Sequence, residues 1–128
     1  MSYYYARTLD LPFDTAVTRV TEELKKEGFG ILTEIDVKDT LKKKLGVDFR
    51  PYRILGACNP PFAYRALQAE EKIGTMLPCN VIVYEQSDGC VEVAAVDPVA
   101  SMQAVDNPAL GDVARQIQAK LRRVIDSL

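Results

Sequence analysis

Residues 53–85 constrain the fold of this chain more than any other stretch. They are more apolar than the chain as a whole and predict a strand, a helix and a second strand, with Cys58 ending the first strand and Cys79 at the start of the second. Asn59 followed by Pro60 favours a helix start, because asparagine can cap a helix and proline at the first helical position needs no N–H. A strand–helix–strand unit with a thiol on each side of its helix is therefore the centre of the predicted fold.

The rest of the chain alternates between the periodicities of strands and helices. Strands are predicted at residues 3–9, 30–37, 52–58, 80–86 and 90–96. Helices are predicted from Phe13 to a stop at Gly28, through Leu41 to Gly46, from Asn59 to Gly74, and from Asn107-Pro108 to Leu128. The order β-α-β-α-β-α-β-β-α favours an α+β two-layer sandwich. We expect a mixed β-sheet with helices mainly on one face, in a single domain over residues 1–128.

Charge and cysteine content exclude several classes of protein. The net charge of −2 argues against a nucleic-acid-binding face, and the three lysines at 42–44 favour a solvated helix surface over a phosphate site. Apolar runs are far shorter than the roughly 20 residues that span a bilayer, and the first residues do not resemble a signal peptide. Three cysteines without a CxxC spacing suit a reducing compartment, so we expect a cytoplasmic protein.

The chain contains no histidine. This excludes Ser-His-Asp and Cys-His nucleophile activation and every histidine-ligated metal site. General acid–base chemistry would fall to Asp, Glu, Lys, Tyr or Cys, each of which needs a shifted pKa to work near neutral pH. The sequence therefore favours a protein that is not an enzyme, and it predicts no cofactor and no metal.

Cys58 and Cys79 each allow two interpretations. Cys58 precedes a helix, whose amino terminus can stabilise a reactive or metal-ligating thiolate, but cysteine more often packs as a small buried hydrophobe. Parallel strands would place the two thiols at opposite ends of the sheet, whereas antiparallel strands would allow residues 75–79 to bring Cys79 back towards Cys58. Two thiols alone leave a zinc site short of ligands.

Glu34 and Asp36 lie on the same side of the second predicted strand, and Lys38 follows. Paired carboxylates beside a lysine can do acid–base work when buried. The favoured interpretation is that Asp36 caps the next helix while Glu34 and Lys38 are solvated or ion-paired.

Three segments together resemble the domain-of-unknown-function 302 family: GFGILTEIDVKDTLKKKLG at 28–46, YRILGACNPPFAYRALQAEEKIGTMLPCNVIVYE at 52–85, and NPAL at the start of the last helix. The specific features are CNP and LPC at this spacing, preceded by TEIDVK. The resemblance implies a small two-layer α+β domain, in a family whose structurally characterised members include homodimers, and it implies no settled activity. The family pattern falls on Glu34, Ile35, Asp36, Lys38, Cys58, Asn59, Pro60, Pro78 and Cys79, whereas Cys90 lies outside it.

Two functions from different classes remain open. The first is a homodimeric binding or regulatory module that receives a small ligand or a partner on a sheet face or an interface. The second is thiol-based redox chemistry or soft-metal capture by Cys58 and Cys79. No catalytic residue and no membrane partner is predicted. The candidate ligand-binding residues are Cys58, Asn59, Pro60, Cys79, Glu34 and Asp36.

Overall fold

The computed structural model describes residues 2–128, in which strands and helices follow the predicted order. The strands are β1 (Tyr4–Leu9), β2 (Gly30–Asp36), β3 (Tyr52–Cys58), β4 (Cys79–Glu85) and β5 (Val91–Val96). The helices are α1 (Phe13–Lys26), α2 (Val37–Leu45), α3 (Pro60–Ala69), α4 (Pro98–Ser101) and α5 (Ala109–Asp126), with a 3₁₀ helix at Glu71–Met76. No helix of the described residues is both long enough and apolar enough to cross a membrane.

The strands form one sheet in the order β1-β5-β4-β3-β2. Every pairing is antiparallel, so the sheet is not mixed as the sequence suggests. The reason lies between β3 and β4. Ala57 is opposite Cys79 in the register, so the connection leaves and re-enters the sheet at the same end. The chain returns through the 3₁₀ helix and an extended Leu77, whose conformation local sequence does not specify.

One face of the sheet holds the core. Alternate residues of the central strands are almost fully buried there, including Leu55, Val81, Val83, Val91 and Val93. The apolar stripes of α1 and α5 pack into the same core cluster. This arrangement confirms the predicted α+β fold with helices packed on the sheet.

The opposite face of the sheet is called the open face below. By strand alternation and register it carries the polar Thr8, Asn80 and Glu92 and a larger set of apolar and aromatic residues: Tyr4, Ala6, Ala94, Ile82, Tyr84, Ile54 and Ile35. Tyr4 and Ile35 expose 45% and 46% of their surface, and the Tyr52 and Tyr84 rings stack at 5.3 Å between centroids. The open face is therefore more apolar than a fully solvated sheet face needs to be.

Two predicted helix starts are present, with different hydrogen bonding. α5 begins at Ala109, with Pro108 and not Asn107 at the cap position; Pro108 already has helical dihedral angles, and Asn107 Oδ1 accepts a hydrogen bond from the Ala109 N–H at 3.1 Å. Asn59 stands at the cap position of α3, but its side chain makes no capping bond. α3 itself ends at Ala69, before the predicted Gly74, because Glu70 adopts an extended conformation.

Candidate ligand-binding cavity

A cavity of about 300 Å³ lies at the end of the sheet where β3 finishes and β4 begins. α3 and α5 contribute much of its wall, and further residues come from the start of β2, from α4 and from the segment before β4. The wall is almost entirely apolar; typical contributors are Phe29, Phe62, Ala66, Leu67, Val113 and Ile117. Its polar side chains are Cys58, Asn59 and Cys79.

The turn after α1 places Phe29 in this wall. Gly28 has a φ of 87°, a left-handed conformation that glycine adopts without a Cβ clash. Its N–H bonds to the Lys25 carbonyl, and the Phe29 N–H bonds to the Leu24 carbonyl, which is the Schellman pattern of helix ends. The predicted stop at Gly28 is confirmed, and Phe29 is left only 2% exposed.

Asn59 fastens the start of α3 to the end of α1. Its Nδ2 donates a hydrogen bond of 3.0 Å to the Glu27 carbonyl oxygen. Asn59 is 7% exposed and is the one buried polar residue among residues 2–128. A Cβ at Gly28 would lie 3.2 Å from Nδ2, so the glycine also allows the close approach. Asn59 Oδ1 accepts no hydrogen bond within the described chain and is available to a molecule in the cavity.

The antiparallel register brings the two candidate cysteines to the same end of the sheet. Cys79 is opposite Ala57, the neighbour of Cys58, and both cysteines line the cavity as free thiols. Burial, and to a smaller extent the neighbouring Cys58, raise the pKa of the Cys79 thiol to about 11. Cys79 is therefore a neutral thiol at pH 7 and acts as apolar wall.

Pro78 lines the cavity next to a point where the paired strands β2 and β3 pack closely together. A β-bulge between Ile31 and Thr33 shifts the register of β2, and Thr33 is opposite Gly56. A Cβ at Gly56 would overlap Thr33 Oγ1 and lie 2.8 Å from Pro78 Cγ. Only glycine fits at this position without movement of the cavity wall.

Glu34 and Asp36 lie at the other end of β2. Gly30 is opposite Cys58, whereas Asp36 is opposite Arg53. Glu34 Oε1 forms an ion pair of 2.8 Å with Arg53, and Asp36 Oδ1 accepts the Asp39 N–H at 3.0 Å at the start of α2. Both carboxylates are about half exposed, so they form an ion pair and a helix cap that are separate from the cavity.

Of the six candidate residues, the structure brings Cys58, Asn59 and Cys79 together around the cavity. Pro60 begins α3 at an exposed position. Among residues 2–128 there is no group of three or more Cys, Asp or Glu side chains placed to hold a metal ion.

Comparison with known proteins places the chain in a family. The family model described as "Domain of unknown function DUF302" matches residues 5–128. The chain belongs to this family. The crystal structure of an uncharacterized conserved DUF302 protein from Bacillus stearothermophilus is similar, with 31% sequence identity, 98% coverage of both chains and a TM-score of 0.91. No curated protein matches the chain.

Sequence reasoning missed the residues at the rim of the cavity in this DUF302 protein. Phe62 lines the cavity, and the cationic groups of Arg65 and Lys120 lie 5.4 Å and 5.8 Å from its ring centroid. Helical spacing shows that Phe62 and Ile117 face inward, but a core stripe and a cavity wall have the same spacing. Only the packing of α3 against α5 distinguishes the two.

Proposed function

We propose that this DUF302 protein binds a small apolar molecule in the cavity between α3, α5 and the end of the sheet. The volume and the apolar lining of the cavity are the observations that support the proposal. Its volume of about 300 Å³ is at the lower end of the range of small-molecule sites, and its mainly apolar wall with a few polar groups is typical of them. The Asn59 amide oxygen and the two thiols can orient a ligand within it.

The chemistry of the wall favours binding over catalysis. Among residues 2–128, the only titratable side chains that line the cavity are Cys58 and Cys79. Cys79 holds its proton at neutral pH, because burial raises its pKa to about 11. A wall of this kind can hold and orient a molecule but has no acid–base pair with which to transform it. We therefore favour a binding or regulatory module.

The test reduces the volume of the cavity by enlarging one residue of its wall and measures the effect on ligand binding. Ala63 lines the cavity on α3 and is partly exposed, so Ala63→Leu adds bulk to the cavity without breaking the helix. Ala119→Leu makes the same change at an exposed position of α5 and is the matched control. 1-Aminonaphthalene, a neutral dye of two fused rings whose fluorescence changes when it is bound and which is small enough for this cavity, is titrated into each protein.

Binding to the wild-type protein and to Ala119→Leu, with an affinity about tenfold lower for Ala63→Leu, is the expected result. Absence of dye binding to wild-type protein would overturn the proposal. Equal affinities for all three proteins would place the dye elsewhere and would also overturn it.

We also propose that the protein is a cytoplasmic homodimer that associates through the open face. The apolar side chains of that face and the resemblance to a family with homodimeric members support the dimer, and three free cysteines suit a reducing compartment. Ile82→Lys on the open face should give a monomer in sedimentation at tens of micromolar. Leu45→Lys, at an exposed apolar position of α2, should leave the dimer intact. A monomeric wild-type mass would contradict this proposal.

Thiol chemistry at Cys58 and Cys79 is the second candidate, supported by their joint position in the cavity wall. The raised pKa of Cys79 weakens it, because the thiolate is the form that attacks disulfides and binds soft metals. Mass analysis after mild oxidation tests it: an intramolecular Cys58–Cys79 disulfide would favour this function, and three unmodified thiols would count against it.

A further inference from the structure

Two cations flank the aromatic ring at the rim of the cavity. The Arg65 guanidinium lies 5.4 Å and the Lys120 ammonium 5.8 Å from the centroid of the Phe62 ring. Phe62 also lines the cavity, so both charges stand next to an apolar space. A molecule bound against Phe62 is therefore close to positive charge.

Carboxylates balance only part of the positive charge at this rim. Arg65 is paired with Asp112 at 3.4 Å, and the nearby Glu27 is paired with Arg123 at 3.0 Å. Lys120 has no carboxylate within 4.0 Å among the described residues. One cation is therefore left over beside the cavity.

The amino terminus of α3 adds to the same potential. Its first turn contains no acidic residue, and the Asn59 side chain is used for the Glu27 carbonyl and not for capping. Pro60 and Pro61 carry no N–H, so the partial positive charge of the helix start is limited to the Phe62 N–H, and no side chain offsets it. Phe62 lies within this first turn, so the helix start and Lys120 act on the same part of the rim.

From these charges we propose that the ligand of the cavity is an amphipathic anion: a hydrocarbon chain that ends in a single carboxylate. The inference rests on the proposed binding function. The chain occupies the apolar space, and the carboxylate lies at the rim against the Lys120 ammonium, with Arg65 beside it. Such a ligand matches both features of the site, because its hydrocarbon chain suits the apolar wall and its carboxylate can form a charge-assisted contact at the positive rim.

The volume sets the length of the chain. A protein cavity of about 150 Å³ admits benzene, so about 300 Å³ accommodates roughly twice that six-carbon ring. A saturated chain of roughly ten carbons fits this space. Decanoate is therefore the probe for the test, and 1-decanol and decyltrimethylammonium are its neutral and cationic counterparts.

The three compounds are used to displace bound 1-aminonaphthalene at low ionic strength and pH 7.5, below their micelle concentrations. Decanoate should displace the dye at a concentration about tenfold lower than 1-decanol, and decyltrimethylammonium should be the weakest. Lys120→Met keeps the aliphatic stem over Phe62 and should remove the advantage of decanoate while leaving 1-decanol unchanged. Lys44→Met, an exposed lysine without an ion pair on α2, should behave as wild type.

Equal displacement by decanoate and 1-decanol in the wild-type protein would overturn the anion inference while the binding function stands. An advantage of decanoate that survives in Lys120→Met would overturn the assignment of the rim charge. Dye that does not bind, or that none of the three compounds displaces, would overturn both the inference and the proposed function.

Discussion

Asn59 Nδ2 and the Glu27 carbonyl oxygen are joined by a hydrogen bond of 3.0 Å that links the start of α3 to the end of α1. Asn59→Ala removes the donor and leaves a partly buried carbonyl without it, which costs about 1–3 kcal/mol. We expect the free energy of unfolding, measured by urea denaturation, to fall by roughly 2 kcal/mol.

Two other asparagines provide the comparison. Asn107 accepts the Ala109 N–H at the start of α5 and also donates to the Ala69 carbonyl oxygen at 2.8 Å, so Asn107→Ala should cost at least as much as Asn59→Ala, roughly 2 kcal/mol. Asn80 is exposed on β4, so Asn80→Ala should stay within about 0.5 kcal/mol of wild type. An Asn59→Ala variant as stable as Asn80→Ala would show that the link between the helices contributes nothing.

The three thiols should alkylate at different rates in the native protein. The Asp88 carboxylate raises the pKa of Cys90, whereas Cys58 is partly exposed beside the start of α3. Cys79 is buried and its pKa is the most strongly raised. Iodoacetamide labelling with peptide mapping at pH 7.5 should give the order Cys58, Cys90, Cys79 from fast to slow. Protection of Cys58 equal to that of Cys90 would contradict this order.

Alkaline pH should weaken the fold through Cys79. In the unfolded chain this thiol loses its proton near its ordinary pKa of 9.0, whereas burial holds the proton in the folded protein up to about 11. Between these values the unfolded state binds fewer protons, so stability falls as pH rises. The loss that Cys79 adds should be on the order of 2 kcal/mol by pH 11.

Other groups titrate in the same range, so the measurement is a difference between two proteins. The stability of the wild-type protein minus that of Cys79→Ala, from urea titrations at pH 8 to pH 11, isolates the thiol. A constant difference over this range would mean that the thiol ionises equally in both states.

Gly56→Ala should be severely destabilising, because the new Cβ would overlap Thr33 Oγ1 and press on Pro78. We expect a loss of more than about 3 kcal/mol, measured by thermal or urea unfolding. Gly30→Ala is the matched control on β2: a Cβ there meets nothing within 4 Å, so its effect should stay below about 1 kcal/mol in either direction. Similar stabilities for the two variants would show that Thr33 and Pro78 can move to make room for the added methyl group.

The sequence predicts those parts of the fold that depend on local chemistry. The stop at Gly28 follows from a glycine after an amphipathic helix, and the start of α5 just after Asn107 follows from asparagine before proline. The antiparallel course of β4 does not follow, because it depends on the extended backbone at Glu70 and on how the chain returns to the sheet.

The site is predicted less completely, for two physical reasons. Asn59 has the sequence of a cap, but the Glu27 carbonyl, distant in sequence, competes for its side chain. Lys120 has the pattern of a solvated residue, and only the approach of α5 to Phe62 gives it a place at the cavity rim. Both are tertiary contacts, which no local pattern contains.

The connection between β3 and β4 forms one wall of the cavity and yet begins and ends at neighbouring points of the sheet, since Ala57 is opposite Cys79. The pairing of β3 with β4 therefore holds both ends of the connection together, while α5 supplies the opposing wall. Side chains such as Leu67 and Leu77 can change there without any change in the residues that pair at its two ends, so the shape of the cavity can vary while the sheet stays the same.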